Sequence, residues 1–168
     1  ADLIATIEGF TREECDQLGV DSQTRTAAAI KDGRFDQALV TIRRDDGTIA
    51  LERDEFPRPG TTLESLAELK PSFEAMGAHT LDEAIHTIDE TALLAYPEVS
   101  KINHVHHAGN SPGVVDGASA VLVASPEYAR DHDMKPRARI VMTAVAGTEP
   151  VIMLTAPAPA STRCVQNA

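Results

Sequence analysis

The chain has no tryptophan, and aromatic residues make up only 4% of it, so its core has to be assembled from Ala, Val, Ile and Leu. Basic residues are also scarce: 15 Lys and Arg stand against 26 Asp and Glu, a net charge of −11. A nucleic-acid partner needs a basic surface to neutralise phosphates, so that class is disfavoured. An anionic small ligand stays open, because a local basic pocket can oppose the global field. The two cysteines, Cys15 and Cys164, are too few and too far apart for a disulfide framework, and a reducing, cytoplasmic setting is expected. No signal peptide is expected, and no apolar run reaches the ~18 residues a spanning helix needs, so no membrane partner is expected.

Several chemical signatures are missing as well. There is no HExxH or CxxC pair for zinc, no GK[ST] for a phosphate loop and no GxGxxG for a dinucleotide. Cys15 lies among acids in T-R-E-E-C-D, where neighbouring carboxylates raise a thiol pKa, so it is a poor nucleophile.

Hydrophobic residues make up 42% of the 168, enough for a folded domain or a piece of a larger one. Residues 11–33 read as a helix opened by a capping box, Thr11 with Glu14, and closed at Gly33. Residues 37–44 and 48–52 read as hairpin strands around the Asp46-Gly47 turn. Thr61 with Glu64 suggests a second box before a short helix ending at Lys70-Pro71. Thr80 with Glu83 suggests a third, opening an amphipathic helix to about Tyr96 with Leu81, Ala84, Ile85, Ile88 and Ala92 as its apolar stripe. Residues 118–124 and 137–147 read as buried strands, with a helix opened by Ser125-Pro126-Glu127 between them and another starting near Pro157. Helices and a hairpin followed by strand, helix, strand, helix predict an α/β layer preceded by an irregular subdomain.

The richest stretch is H-V-H-H-A-G-N-S-P-G-V-V-D-G, residues 104–117. His104 and His106 could reach a metal from one side of a strand, with His79, His86 or an acid completing the set; the alternative is hydrogen-bonded histidines beside a pocket. The glycines at 109, 113 and 117 allow close backbone approach and suit a sharp turn that delivers Asn110 and Ser111 into a pocket.

Taken together, four stretches resemble the thiolase family, in family order: FTREECDQLGVDSQTRTAAAIKDGRF, DEFPRPGTTLESLAELKPSF, HAGNSPGVVDGASAVLVAS and KPRARIVMTAVAGTEPVIMLTAPAPA. The resemblance implies a thiolase-fold fragment of the α/β class: a loop domain over residues 1–108 that covers coenzyme A, then part of the N-terminal βαβα core domain over 109–168. It implies acyl transfer on CoA thioesters, either thiolysis of 3-ketoacyl-CoA or condensation of acyl-CoAs. CoA or acyl-CoA enters as substrate, and no cofactor or metal is implied. None of the family's catalytic Cys, His and Cys motifs has a match here, so no catalytic residue is assigned and the fragment alone is expected to be inactive. The chain does not begin with Met and stops at C-V-Q-N-A, so both ends are expected to be cuts, with the remainder of the thiolase chain and a homodimer or homotetramer as partners.

By the same resemblance, Arg58 falls near the adenine end of CoA, and Ser65 and Phe73 line the nucleotide and pantetheine path. Asn110 and Ser111 belong to the loop that contacts pantetheine. The family's loop serine falls on Pro112, with Ser111 one residue early, and His107 stands where Thr is usual. Residues 74–107 form an insertion relative to the family pattern, read as extra cover over the tunnel. Two other readings stay open: a non-catalytic CoA-binding or interaction module, and a His-ligated metal hydrolase.

Overall fold

The computed structural model describes residues 1–81 and 83–168. Two compact units make up the chain, Ala1–Gly113 and Val114–Ala168.

The first unit opens with α1 (Asp2–Glu8), which ends on Gly9 in the left-handed conformation. The expected long helix follows as α2 (Arg12–Lys31). Its capping box forms as the sequence predicts: Thr11 Oγ1 accepts the Glu14 N–H, and the Glu14 carboxylate accepts the Thr11 N–H at 2.8 Å. The hairpin forms too, but only β1 (Ile42–Arg43) and β2 (Ile49–Leu51) are paired, antiparallel, with an irregularity between Ile42 and Arg43. The Asp46 carboxylate accepts the Thr48 N–H at 2.9 Å and Gly47 takes φ 84°, which fixes the turn.

Helix α3 (Leu63–Ala67) is capped one residue later than predicted, by Thr62 and Ser65 in place of Thr61 and Glu64. Either threonine satisfies the pattern; the Thr61 hydroxyl is instead bonded to the Arg58 carbonyl at 2.7 Å. The helix expected from Thr80 is also shifted. Short α4 (Glu74–Gly77) comes first, and α5 (Ile88–Leu93) starts at a box made by Thr87 and Glu90. Residues 79 and 80 instead lie antiparallel to 87 and 88, with a Thr80–Thr87 bridge and the Ile88 N–H on the His79 carbonyl at 3.0 Å. The apolar spacing was compatible with a helix, but Thr87-x-x-Glu90 is an equally good start signal and wins. Asp82, which the predicted helix would include, lies outside the described residues.

The core of this unit is small. Leu3 and Ala5 of α1, Leu66 of α3, and Ile102 and Val105 from the segment after α5 are its buried apolar residues. Leu66 sits where α2, α3 and the Gly109 turn meet. A Cβ on Gly19, mid-α2, would stand 3.1 Å from the Gly109 carbonyl oxygen and 3.5 Å from Leu66 Cδ1, so the helix needs glycine there for the turn to approach.

The second unit departs furthest from expectation. It holds α6 (Pro126–Asp131), capped by Ser125 with Pro at N1 as predicted, and α7 (Pro157–Asn167). Residues 118–124 and 137–147 are not strands, and they are exposed rather than buried. A strand exists only where a neighbour takes its backbone N–H and C=O groups, and an apolar run buries only where a second layer covers it. Neither neighbour nor cover is present among the described residues, so the apolar pattern has nothing to pair with.

Leu66→Ala removes the side chain that joins α2, α3 and the Gly109 turn. It should lower stability by about 2–5 kcal/mol, most or all of what so small a core provides, as read by urea or thermal unfolding. A loss under 1 kcal/mol would show that this junction does not hold the unit together.

Candidate functional site

The segment 102–111 runs through the first unit as an extended spine, and two carboxylates hold it. Asp2, at the start of α1, accepts the backbone N–H groups of Val105 and His106 at 3.1 and 3.0 Å. The same carboxylate bonds His106 Nδ1 at 2.5 Å and His104 Nδ1 at 2.8 Å. His104 Nε2 reaches across to Asp89 of α5, also at 2.8 Å. Burial alone would raise the Asp2 pKa, but hydrogen bonds from His106, His104 and the two amides outweigh it and lower it below the ordinary 3.8. Burial alone would lower the His104 pKa, but Asp89 and Asp2 outweigh it and raise it above the ordinary 6.5.

Asp16 of α2 is the second anchor. His107 Nε2 and Asn110 Nδ2 both bond its Oδ1, at 2.7 and 2.8 Å, and Arg12 Nε bonds its Oδ2 at 2.8 Å. Burial would raise its pKa; Arg12, His107 and Asn110 together bring it below the ordinary value. The Arg12 guanidinium continues to the carbonyls of Leu66 and Leu69 at 2.7 and 2.8 Å, tying the C-terminus of α3 to the same cluster. Burial, then Asp16, Glu14 and Asp2, push the Cys15 thiol above its ordinary 9.0 despite Arg12, as its acidic surroundings in sequence suggested.

Of the residues singled out from sequence, His107, Asn110 and Ser111 lie on this spine and Arg58 rests against it. His107 is 2% exposed, and Asn110 is half-buried, bonded to Asp16 and to the Val105 carbonyl. The Ser111 hydroxyl lies 3.4 Å from Asn110 Oδ1. Arg58 is exposed; its Nη2 donates to the Ala108 carbonyl at 3.3 Å, and its guanidinium stands over the Phe56 ring, 5.0 Å from the centroid. Ser65 is exposed but committed to the α3 cap. Phe73, 49% exposed, follows Ser72, whose N–H bonds the His106 carbonyl at 2.9 Å. A small open cavity of about 250 Å³ is lined by Glu74, Lys101, Ile102, Asn103 and His104, all within the 74–107 stretch, and Arg58 is not part of its lining.

The metal reading loses its geometry. Both ring nitrogens of His104 are engaged by carboxylates, and among the described residues no group of three or more His, Cys, Asp or Glu is arranged to hold an ion. Sequence reasoning did not single out Asp2, Asp89 or Arg12, and it read Asp16 only as a neighbour that raises the Cys15 pKa. The only available signal was the pairing of an unusual histidine triplet with unassigned acids, which spacing alone cannot match up.

Residues 1–95, more than half of the chain, match the family described as thiolase, N-terminal domain. The chain belongs to the thiolase family. It is 38% identical over 172 residues to an acetyl-CoA acetyltransferase of Allochromatium vinosum, covering 100% of this chain and 36% of that protein. It is 35% identical over 171 residues to a 3-ketoacyl-CoA thiolase of a Psychrobacter species, again covering 100% of this chain and 37% of that protein. Its fold is that of a solved thiolase, the Bacillus anthracis acetyl-CoA acetyltransferase, at a TM-score of 0.70 and 31% identity over 99% of this chain and 36% of that one. The chain therefore spans little more than a third of the relatives it matches. Among the described residues no helix is long and apolar enough to cross a membrane.

A neutral imidazole has one N–H, so His104 can donate to both Asp2 and Asp89 only when protonated. Because its folded-state pKa is raised, this contribution is complete below pH 6.5 and is lost as pH rises through the folded value. Because the Asp2 and Asp16 values are lowered, theirs is complete above pH 3.8 and is lost as pH falls through those values. Stability should thus be greatest between pH 3.8 and pH 6.5, and His104→Gln should flatten the alkaline limb. Denaturant unfolding across pH tests this; identical alkaline slopes for the two proteins would contradict it.

Proposed function

We propose that this chain is the CoA-facing part of a thiolase: a loop domain over residues 1–108, followed by part of the N-terminal core domain. It would work in acyl transfer on CoA thioesters, by thiolysis of 3-ketoacyl-CoA or by condensation of acyl-CoAs. The observation that carries this reading is the Arg58 contact with the Ala108 carbonyl, which brings Arg58 to the same turn as Asn110 and Ser111. An exposed guanidinium backed by the Phe56 ring can stack on adenine or pair with phosphate. The turn beside it offers a hydroxyl and backbone groups to the amides of pantetheine. A cation in this place also answers the −11 net charge, since a local basic group is what an anionic ligand needs on an acidic protein.

On this reading, nucleophile and base come from the remainder of the thiolase chain, and residues 1–168 alone bind CoA without turning it over. The 74–107 stretch, latched by the Asp89–His104 contact, would then be added cover beside the pantetheine path. The partners would be acyl-CoA, the rest of the chain and further copies in a homodimer or homotetramer. A CoA-binding module with no catalytic partner is the second reading. It is favoured by the same Arg58 geometry and distinguished by whether supplying the rest of a thiolase yields turnover.

Arg58→Ala should weaken CoA binding about tenfold, the scale of one lost charge-assisted contact, with little effect on the unfolding temperature because Arg58 is exposed. Calorimetric titration of the 168-residue chain measures it. Equal affinities in the two proteins would remove Arg58 from the site.

A further inference from the structure

His107 stands where the family pattern has Thr, and its surroundings fix its chemical state. Nδ1 accepts the Gly109 N–H at 3.0 Å, so it carries no proton, and the ring proton lies on Nε2, which donates to Asp16 at 2.7 Å. The brace is doubled by Asn110. Its amide donates to the same Asp16 oxygen at 2.8 Å and to the Val105 carbonyl at 3.0 Å, while its oxygen accepts the His107 N–H at 2.9 Å. Ala108 and Gly109 are therefore held from both ends by one carboxylate, itself fixed by Arg12. Asp16 is 3% exposed, and its bond to His107 is buried.

We propose that Asp16 and His107 are positioning residues for coenzyme A, acting through the turn at 108–111; the inference rests on the CoA reading above. What they place is the Ala108 carbonyl, on which Arg58 rests, and Ser111, whose hydroxyl stands one residue early relative to the family's serine. A hydroxyl displaced along the chain reaches its ligand only if the backbone beneath it is set to within a fraction of an ångström. Threonine at 107 is too short to bridge from the turn to Asp16. The histidine and the shifted serine are thus read as one adjustment: the longer side chain moves the turn so that Ser111 serves.

The two ring nitrogens can be tested separately. His107→Gln keeps a donor near the Nε2 position for Asp16, whereas His107→Asn keeps only an acceptor near Nδ1 for Gly109. CoA titrations of the 168-residue chain and these variants, with Asp16→Asn as a third, are run at a temperature where circular dichroism shows each one folded. The nitrogen shifts of His107 in the unsubstituted chain report its tautomer. Expected are the Nε2–H tautomer, a Kd within about threefold for His107→Gln, and a loss of about tenfold or more for His107→Asn and Asp16→Asn. Equal affinity in all four folded proteins, or a loss that follows only the unfolded fraction, overturns the inference and leaves the CoA reading standing. No saturable CoA binding by the unsubstituted chain overturns both.

Discussion

Two buried carboxylates set the conformation of the segment that carries the candidate site. Asp2 grips it at Val105 and His106, and Asp16 grips it at His107 and Asn110. Apolar burial cannot do this work alone, since among the described residues of the first unit the buried hydrophobic side chains are Leu3, Ala5, Leu66, Ile102 and Val105. Charge-assisted bonds out of water are directional, so they fix a backbone where a few methyl groups would leave it loose. The turn at 108–111, the rest of Arg58 on it and the approach of α3 through Arg12 all follow from where these carboxylates lie.

That arrangement has a cost in robustness. A buried carboxylate is stabilising only while all of its donors are present, and losing one leaves charge without a partner. His104 is therefore a structural group whose protonation matters. His104 ties α1 to α5 only as an imidazolium, whereas His107 bonds Gly109 through one ring nitrogen and Asp16 through the other, as a two-ended strut. The first and last members of one triplet thus do different jobs.

Local signals were legible in the sequence where the determining interaction is local. The Thr11–Glu14 box, the Ser125-Pro126 start and the Asp46-Gly47 turn all appear where predicted, because each is closed by residues at most three apart. Where two local signals competed, the sequence could not choose: Thr62 prevailed over Thr61, and Thr87 over Thr80. The strands at 118–124 and 137–147 failed for a different reason, since a strand is a property of a pair and no pair is present among the described residues. The site was half legible. Arg58, Asn110 and His107 were singled out from the sequence, while Asp2, Asp16 and Asp89, 15 to 104 residues from their partners in the 104–110 segment, carry no mark that spacing could reveal.

We propose that coenzyme A meets this chain at the turn braced by Asp16. Amide hydrogen exchange with and without saturating CoA tests it most directly, because it locates the ligand without presuming which side chain matters. Added protection is expected at about residues 56–66 and 105–111, whether or not the 74–104 stretch is also protected as cover over the ligand. Protection only around Glu74 and 101–104, at the small cavity that Arg58 does not line, or none anywhere in the chain, would contradict the proposal.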